Sequence, residues 1–182
     1  MIENKVALEL KYVPEHLVEN ICEYLLLVKR FQPALFEQHG ECLEMIMDFV
    51  LPFMGSPHWL KNPHLRARLA ECLECLLPHH ELQGSSGFSL KFNRERIFTE
   101  YKFRLEIIPC ILNVFVNIEN TGQAVEFEMK FNYRRPMFEI LKYVWEMEDY
   151  RAKMIQLAKH AAEHIVEEIP PVVLRFVNML VK

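Results

Sequence analysis

Glycine is scarce, five in 182 residues, which is too few for the turns of a sandwich or barrel of short strands. Positive charge is not in excess either: the net charge is −4, and Lys and Arg are scattered among acids. Nucleic acid is therefore not expected as a partner, because phosphate binding needs concentrated positive charge. No apolar run approaches the roughly 20 residues that cross a bilayer, and Met1-Ile2-Glu3-Asn4-Lys5 has none of the three parts of a signal peptide. No membrane partner is expected, and the reading is a soluble protein of the cytoplasm or nucleus. A Gly-rich phosphate loop is missing, and no cofactor is expected. The cysteines number five, an odd count, and sit in apolar helical patterns such as ENICEYLL around Cys22 and IIPCILNVF around Cys110. They read as reduced thiols that behave as small buried hydrophobes.

What remains is abundant in helix formers. With 51% hydrophobic and 25% charged residues, many of them Leu, Glu, Met and Phe, the chain is long enough to bury a core and reads as all-α. After Pro14, the residues Leu17, Ile21, Tyr24, Leu25, Val28 and Phe31 recur at helical spacing, widened by Val18, Cys22, Leu26 and Leu27, which predicts a helix buried on more than one side. A second helix is expected from Glu41 to Met54, kinked or ended by Pro52. Asn62-Pro63 reads as an N-cap followed by proline at the first helical position, opening a helix to about Leu77. The Gly- and Ser-containing stretch Gln83-Gly84-Ser85-Ser86-Gly87 marks an internal junction over 79–93. Helical patterning resumes from about Arg94 to Asn120, broken at Pro109, with Phe103 on the inner side. Thr121-Gly122 precedes a helix interrupted at Pro136, and two more follow, from about Asp149 to Glu167 and from Pro170 onward. Phe127, Phe131 and Trp145 are expected in the core. The whole is one segment, 1–182, of about seven to nine helices in an irregular armadillo- or HEAT-like stack.

Three short patterns could carry chemistry. His160-Ala161-Ala162-Glu163-His164 spells the H-x-x-E-H of inverted zinc peptidases, which sets two imidazoles one turn apart beside a carboxylate. A third zinc ligand would have to come from a distant element, and a helix rich in Ala, Glu and His gives this spacing by chance, so an exposed helix face is the ordinary reading. Cys72-Leu73-Glu74-Cys75 with His79 and His80 offers four ligands, but structural zinc sites usually take two pairs from separated segments. Cys72 and Cys75 also share the apolar face of Leu69, Leu73 and Leu76, so no metal site is expected. No thiol has the local surroundings that activate a catalytic cysteine. Glu126, Lys130 and Arg134 fall at i, i+4 and i+8 on one helix face, ordinarily a solvated row worth about 0.3–0.5 kcal/mol per pair. With Arg135 beside them they are the candidate interaction residues. The catalytic list is empty.

The residues also carry a resemblance. Ile118-Glu119-Asn120-Thr121-Gly122, then Glu126-Phe127, Lys130-Phe131, Arg134, Ile140 and Trp145, resembles a signature block in the core of the U-box ubiquitin-chain elongation factors. Pro14-Glu15 with Glu23-Tyr24-Leu25 and Pro33, and Lys61-Asn62-Pro63-His64-Leu65 with Ala67, Leu69 and Glu71, are similar to the blocks that precede it, in the same order. No U-box and no RING zinc pattern is seen, and the family core would continue past Asn178-Met179-Leu180. The resemblance implies a helical rod, non-catalytic by itself, within a ubiquitin ligase. The parent is either an elongation factor or a SPRY- and RING-containing ligase that shares this core, with Arg134-Arg135-Pro136 favouring the second. Its implied partners are proteins: a substrate, ubiquitin or an adaptor with a ubiquitin-like domain. Self-association through Val173, Phe176, Val177 and Leu180 of the last helix is a further expectation. The alternative is a helical-repeat adaptor unrelated to ubiquitin.

Overall fold

The computed structural model describes residues 10, 12–38, 40–78, 92–119, 127–163 and 172–180. It is all-α, with no strand among the described residues. The helices are α1 Glu15–Phe31, α2 Leu35–Gln38, α3 Gly40–Gly55, α4 Pro63–Cys75, α5 Phe92–Thr99, α6 Ile107–Glu119, α7 Phe127–Trp145, α8 Glu148–Glu163 and α9 Val172–Leu180, and a 3-10 turn over Arg104–Glu106 leads into α6. Phe92 and Asn93, placed in the expected junction, instead open α5, and 79–91 lies outside the described residues.

Local chemistry sets several helix starts. Pro14 holds an extended backbone (φ −71°, ψ 141°) directly before α1, as its ring requires. The Asn62 side chain accepts hydrogen bonds from the amides of His64 at 3.1 Å and Leu65 at 3.3 Å, which satisfies two of the donors that every helix start leaves open.

The prolines act differently from their sequence reading. Pro52 does not end α3, which runs on to Gly55, and the Met54 and Gly55 carbonyls at that end are taken up by Arg66 and Asn113. Pro109 is the third residue of α6, where the missing amide would have had no partner inside the helix. The break falls earlier, between Thr99 and the turn at Arg104. Pro136 lies inside an uninterrupted α7, held there by core residues Met137, Ile140 and Val144 on its C-terminal side.

The core is organised around α4, which packs against α1, α3, α6 and α7. Nine of its 13 residues are buried, and the half-buried His64, Arg68 and Glu71 leave only one narrow stripe toward solvent, although the helix carries Arg66, Arg68, Glu71 and Glu74. Arg66, 1% exposed, donates from Nε to the Met54 carbonyl at 2.7 Å and from its terminal nitrogen to the Gly55 carbonyl at 3.3 Å. Asn113 of α6 reaches the same Gly55 carbonyl at 2.9 Å. The end of α3 is thus capped by α4 and α6, and a Cβ on Gly55 would strike the Cys110 sulfur, so glycine permits the approach. Arg94, also buried, ties the end of α4 to the α1–α2 turn by donating to the carbonyls of Leu77 at 3.3 Å and Pro33 at 2.8 Å.

Two phases differ from expectation. The buried stripe of α1 is Val18, Cys22, Leu25 and Val28, while Leu17, Ile21, Tyr24, Leu27 and Phe31 are exposed, so α1 is buried on one face only. On α7, Phe131 is 61% and Trp145 50% exposed. Phe131, Phe138 and Trp145 are spaced by seven and share one face, turned away from the inward Met137, Ile140 and Val144, although Phe138 still stacks edge-on against Phe115 of α6 at 5.5 Å. Phe103 is exposed as well, and the side chain of Phe127 lies outside the described residues.

Candidate interaction surface

Of the four candidate interaction residues, the structure describes the side chains of two, because Glu126 and the side chain of Lys130 lie outside the described residues. Arg134 is half-buried, its guanidinium carbon 5.2 Å from the centre of the Phe115 ring. A cation over an aromatic face is attracted by the ring quadrupole, so Arg134 joins α7 to α6 while part of its side chain stays exposed. Arg135 is exposed and lies 3.6 Å from the Glu74 carboxylate. Glu74, nearly buried, receives Lys29 of α1 at 2.7 Å on its other oxygen. One carboxylate of the central helix therefore holds a cation from α1 and another from α7. Removing it would leave Lys29 without its partner, whereas removing the looser, exposed Arg135 would leave the Lys29 pair in place.

The cysteine positions decide what nucleophilic chemistry is open. Cys22, Cys72, Cys75 and Cys110 are buried, and Cys42 is exposed on α3, against the expectation that all five are interior. Burial pushes Cys75 and Cys110 up to about 12, which leaves essentially no thiolate at neutral pH. The hydrogen bond with Cys22, followed by burial, raises Cys72 still further. Cys22 moves the opposite way because the Cys72 thiol favours its charged form, but its side chain is fully buried and closed to any acceptor.

Among the described residues, no three or more His, Cys, Asp or Glu side chains gather as they would to hold a metal ion. Cys72 and Cys75 pack in the core beside Leu69, Leu73 and Leu76, while His79 and His80 lie outside the described residues. His160 is exposed on α8, and His164 is outside the described residues. No described helix is long and apolar enough to cross a membrane.

On the α9 stripe, Phe176 stacks edge-on against Phe115 at 4.8 Å, and Val172 and Val173 pack against the core. Val177 remains exposed. Sequence reasoning missed the buried ionic residues Arg66 and Glu74 and the polar cleft formed by Asn113, Asn117 and Arg175. For Arg66 a signal existed, since it sits among Leu65, Leu69, Ala70 and Leu73 on a helix face that is otherwise apolar.

Compared with known proteins, residues 2–182 match the model of a family described as the ubiquitin elongating factor core. Ubiquitin conjugation factor E4 A of Rattus norvegicus is 40% identical over 171 residues, 94% of this chain and 16% of its own length. Probable ubiquitin conjugation factor E4 of Arabidopsis thaliana is 34% identical over 174 residues, 96% of this chain and 15% of that protein. E4 ubiquitin-protein ligase UFD2 of Saccharomyces cerevisiae is 24% identical over 159 residues, 86% of the chain and 16% of its length. No solved structure matches the chain.

Proposed function

The chain belongs to the ubiquitin elongating factor core family, and from that membership we propose that it is a non-catalytic helical scaffold. It positions a substrate, ubiquitin or an adaptor with a ubiquitin-like domain relative to a U-box or RING carried elsewhere in a longer ubiquitin ligase of the cytoplasm or nucleus. The observation that carries this reading is one of proportion. The family match runs over residues 2–182, yet the chain covers 16% of the length of relatives named as ubiquitin conjugation factors. Burial of four of the five thiols supports the non-catalytic part, because ubiquitin transfer through the protein itself would need a reachable thiolate.

Within the scaffold, the proposed partner-facing row is Glu126, Lys130, Arg134 and Arg135 on and just before α7. Self-association, where it occurs, uses the edge of α9 left open at Val177, since Phe176 is already engaged with Phe115. The test compares the isolated chain, the full parent and a parent lacking this segment in one series of ubiquitin-discharge and pull-down measurements. The isolated chain should neither speed discharge nor build chains, and the deletion should impair recruitment. Discharge stimulated by the isolated chain, or normal substrate modification by the deleted parent, would overturn the scaffold reading.

A further inference from the structure

An open cleft lies between the C-terminal end of α3 and helices α6 and α9, with a volume of about 550 Å³. Pro52, Pro57, Pro109 and Val172 supply apolar walls, and Asn113, Asn117 and Arg175 supply polar atoms. These three polar residues are not equally free. Asn113 is committed, because its amide donates to the Gly55 carbonyl at 2.9 Å and its oxygen accepts from the Asn117 amide at 3.1 Å. Asn117 keeps one N–H and its own carbonyl oxygen, the donor and the acceptor that a single peptide group needs.

Arg175 is half-buried, and its Nε is shut off from solvent without a hydrogen-bond partner. Among the described residues no carboxylate pairs with it. Its Nε is as closed to a ligand as to water, but a guanidinium already half withdrawn from solvent meets an anion at its terminal N–H groups with little further desolvation. The charge of the cleft restricts that anion. Glu106 lines the same space and is held only loosely, 3.8 Å from the Lys153 ammonium. A dianionic phosphate would meet this carboxylate with one guanidinium to balance it, whereas a single carboxylate matches the single guanidinium.

We propose that this cleft binds an extended protein segment bearing one carboxylate. Arg175 takes the carboxylate in a two-point contact, Asn117 spans the adjacent peptide group, and apolar side chains of the segment lie against the prolines. The carboxylate is an acidic side chain of the segment, since an open cleft lets the chain continue on both sides of Arg175. This deepens the scaffold reading by giving a partner segment a place to sit. It is measured on the isolated chain, not by deletion from the parent, so the two readings fail separately.

The probes are three heptapeptides: one blocked at both ends with a central glutamate between leucines, the same peptide with glutamine, and the glutamine peptide with a free C-terminal carboxylate. Binding to the full chain is followed by NMR titration of the Asn117 side-chain amide and the Arg175 guanidinium. The glutamate peptide should bind and shift both signals, and glutamine should weaken it about tenfold or more, the usual weight of a charge-assisted pair. Arg175→Met should cause the same loss with an unchanged melting curve, and Arg175→Lys should give an intermediate affinity because a point charge lacks the planar fork. Tighter binding of the blocked glutamate peptide than of the free-ended peptide supports an acidic side chain as the occupant, and the reverse order would overturn that assignment in favour of a chain end. Equal binding of the blocked glutamate and glutamine peptides, undiminished binding by Arg175→Met, or no shift of either signal at millimolar peptide would overturn the proposal.

Discussion

Arg66 in the middle of α4 donates its Nε–H to the carbonyl of Met54 in the last turn of α3, at 2.7 Å. It has no acidic partner among the described residues, and burial brings its guanidinium down to about 10. The positive charge is held by backbone carbonyls alone, in particular by the orphan acceptors that a helix end leaves exposed. Replacing Arg66 by Met keeps the volume but strips those carbonyls of their donor inside the core. Arg66→Met should cost about 2–3 kcal/mol, read as a lower midpoint in urea with an unchanged slope. A midpoint equal to that of the parent would mean that the end of α3 finds other donors.

Phe131 and Phe98 make a contrasting pair of truncations. Phe98 is fully buried, stacks edge-on against Tyr143 at 5.2 Å, and gives its carbonyl to the Tyr150 hydroxyl at 2.9 Å. Phe98→Ala should cost about 3–5 kcal/mol. Phe131→Ala, on the outer face of α7, should change stability by less than about 0.5 kcal/mol. Equilibrium denaturation of both variants checks the phase of α7, and a Phe131→Ala loss as large as that of Phe98→Ala would place the outer stripe under cover in solution.

Thiol accessibility separates Cys42 from the rest. With Ellman's reagent, the folded chain should release the equivalent of one thiol quickly, and Cys42→Ser should abolish that fast phase. The other four should react only as the protein opens. No cysteine should form a thioester when charged conjugating enzyme is added. A thioester that survives Cys42→Ser would require one of the buried thiols to reach the surface, which the packing of α4 opposes.

Alkaline pH should destabilise the fold through three tyrosines. Burial raises Tyr143 to about 12 from the usual 10, and it raises Tyr101 and Tyr150 further. Above pH 10 the unfolded chain loses these protons while the native state still holds them, so the unfolded state binds fewer protons and stability falls as pH rises. Their contribution is fully present below pH 10 and is lost as pH climbs toward the folded-state values. Melting temperature should drop steeply from pH 10 upward, at up to about 1.4 kcal/mol per pH unit for each group. Tyr143→Phe should flatten that slope. Phenolate absorbance rising by the full complement of six tyrosines before any loss of helical circular dichroism would contradict this.

Much of the fold was legible because the signals are local. Asn62-Pro63 opens α4 as its capping chemistry predicts, and Pro14 precedes α1 without a side-chain cap, in extended backbone. The prolines were misread because their effect depends on what surrounds them. Pro52 lies three residues before the end of α3, and Pro136, itself buried, is held inside α7 by the core residues that follow it. The phase errors on α1 and α7 share one cause. Both helices carry two apolar stripes, and periodicity does not say which one faces inward. The candidate row on α7 was drawn from spacing, which does not show that Phe115 of another helix stands beneath Arg134.

By itself the sequence determined the helical class, the family and most helix starts, since composition, capping residues and ordered blocks of identity need no knowledge of what touches what. Only the tertiary structure decided that α4, with its four charged side chains, lies at the centre of the packing against α1, α3, α6 and α7. It also decided that Glu74 joins Lys29 to Arg135, and that Arg175 and Asn117 border one cleft. Those outcomes depend on residues between 45 and 61 positions apart in the chain, as for Lys29 with Glu74, Arg135 with Glu74 and Arg94 with Pro33. Charges are admitted to a core only where partners from other helices satisfy them, and which partners arrive is fixed by packing.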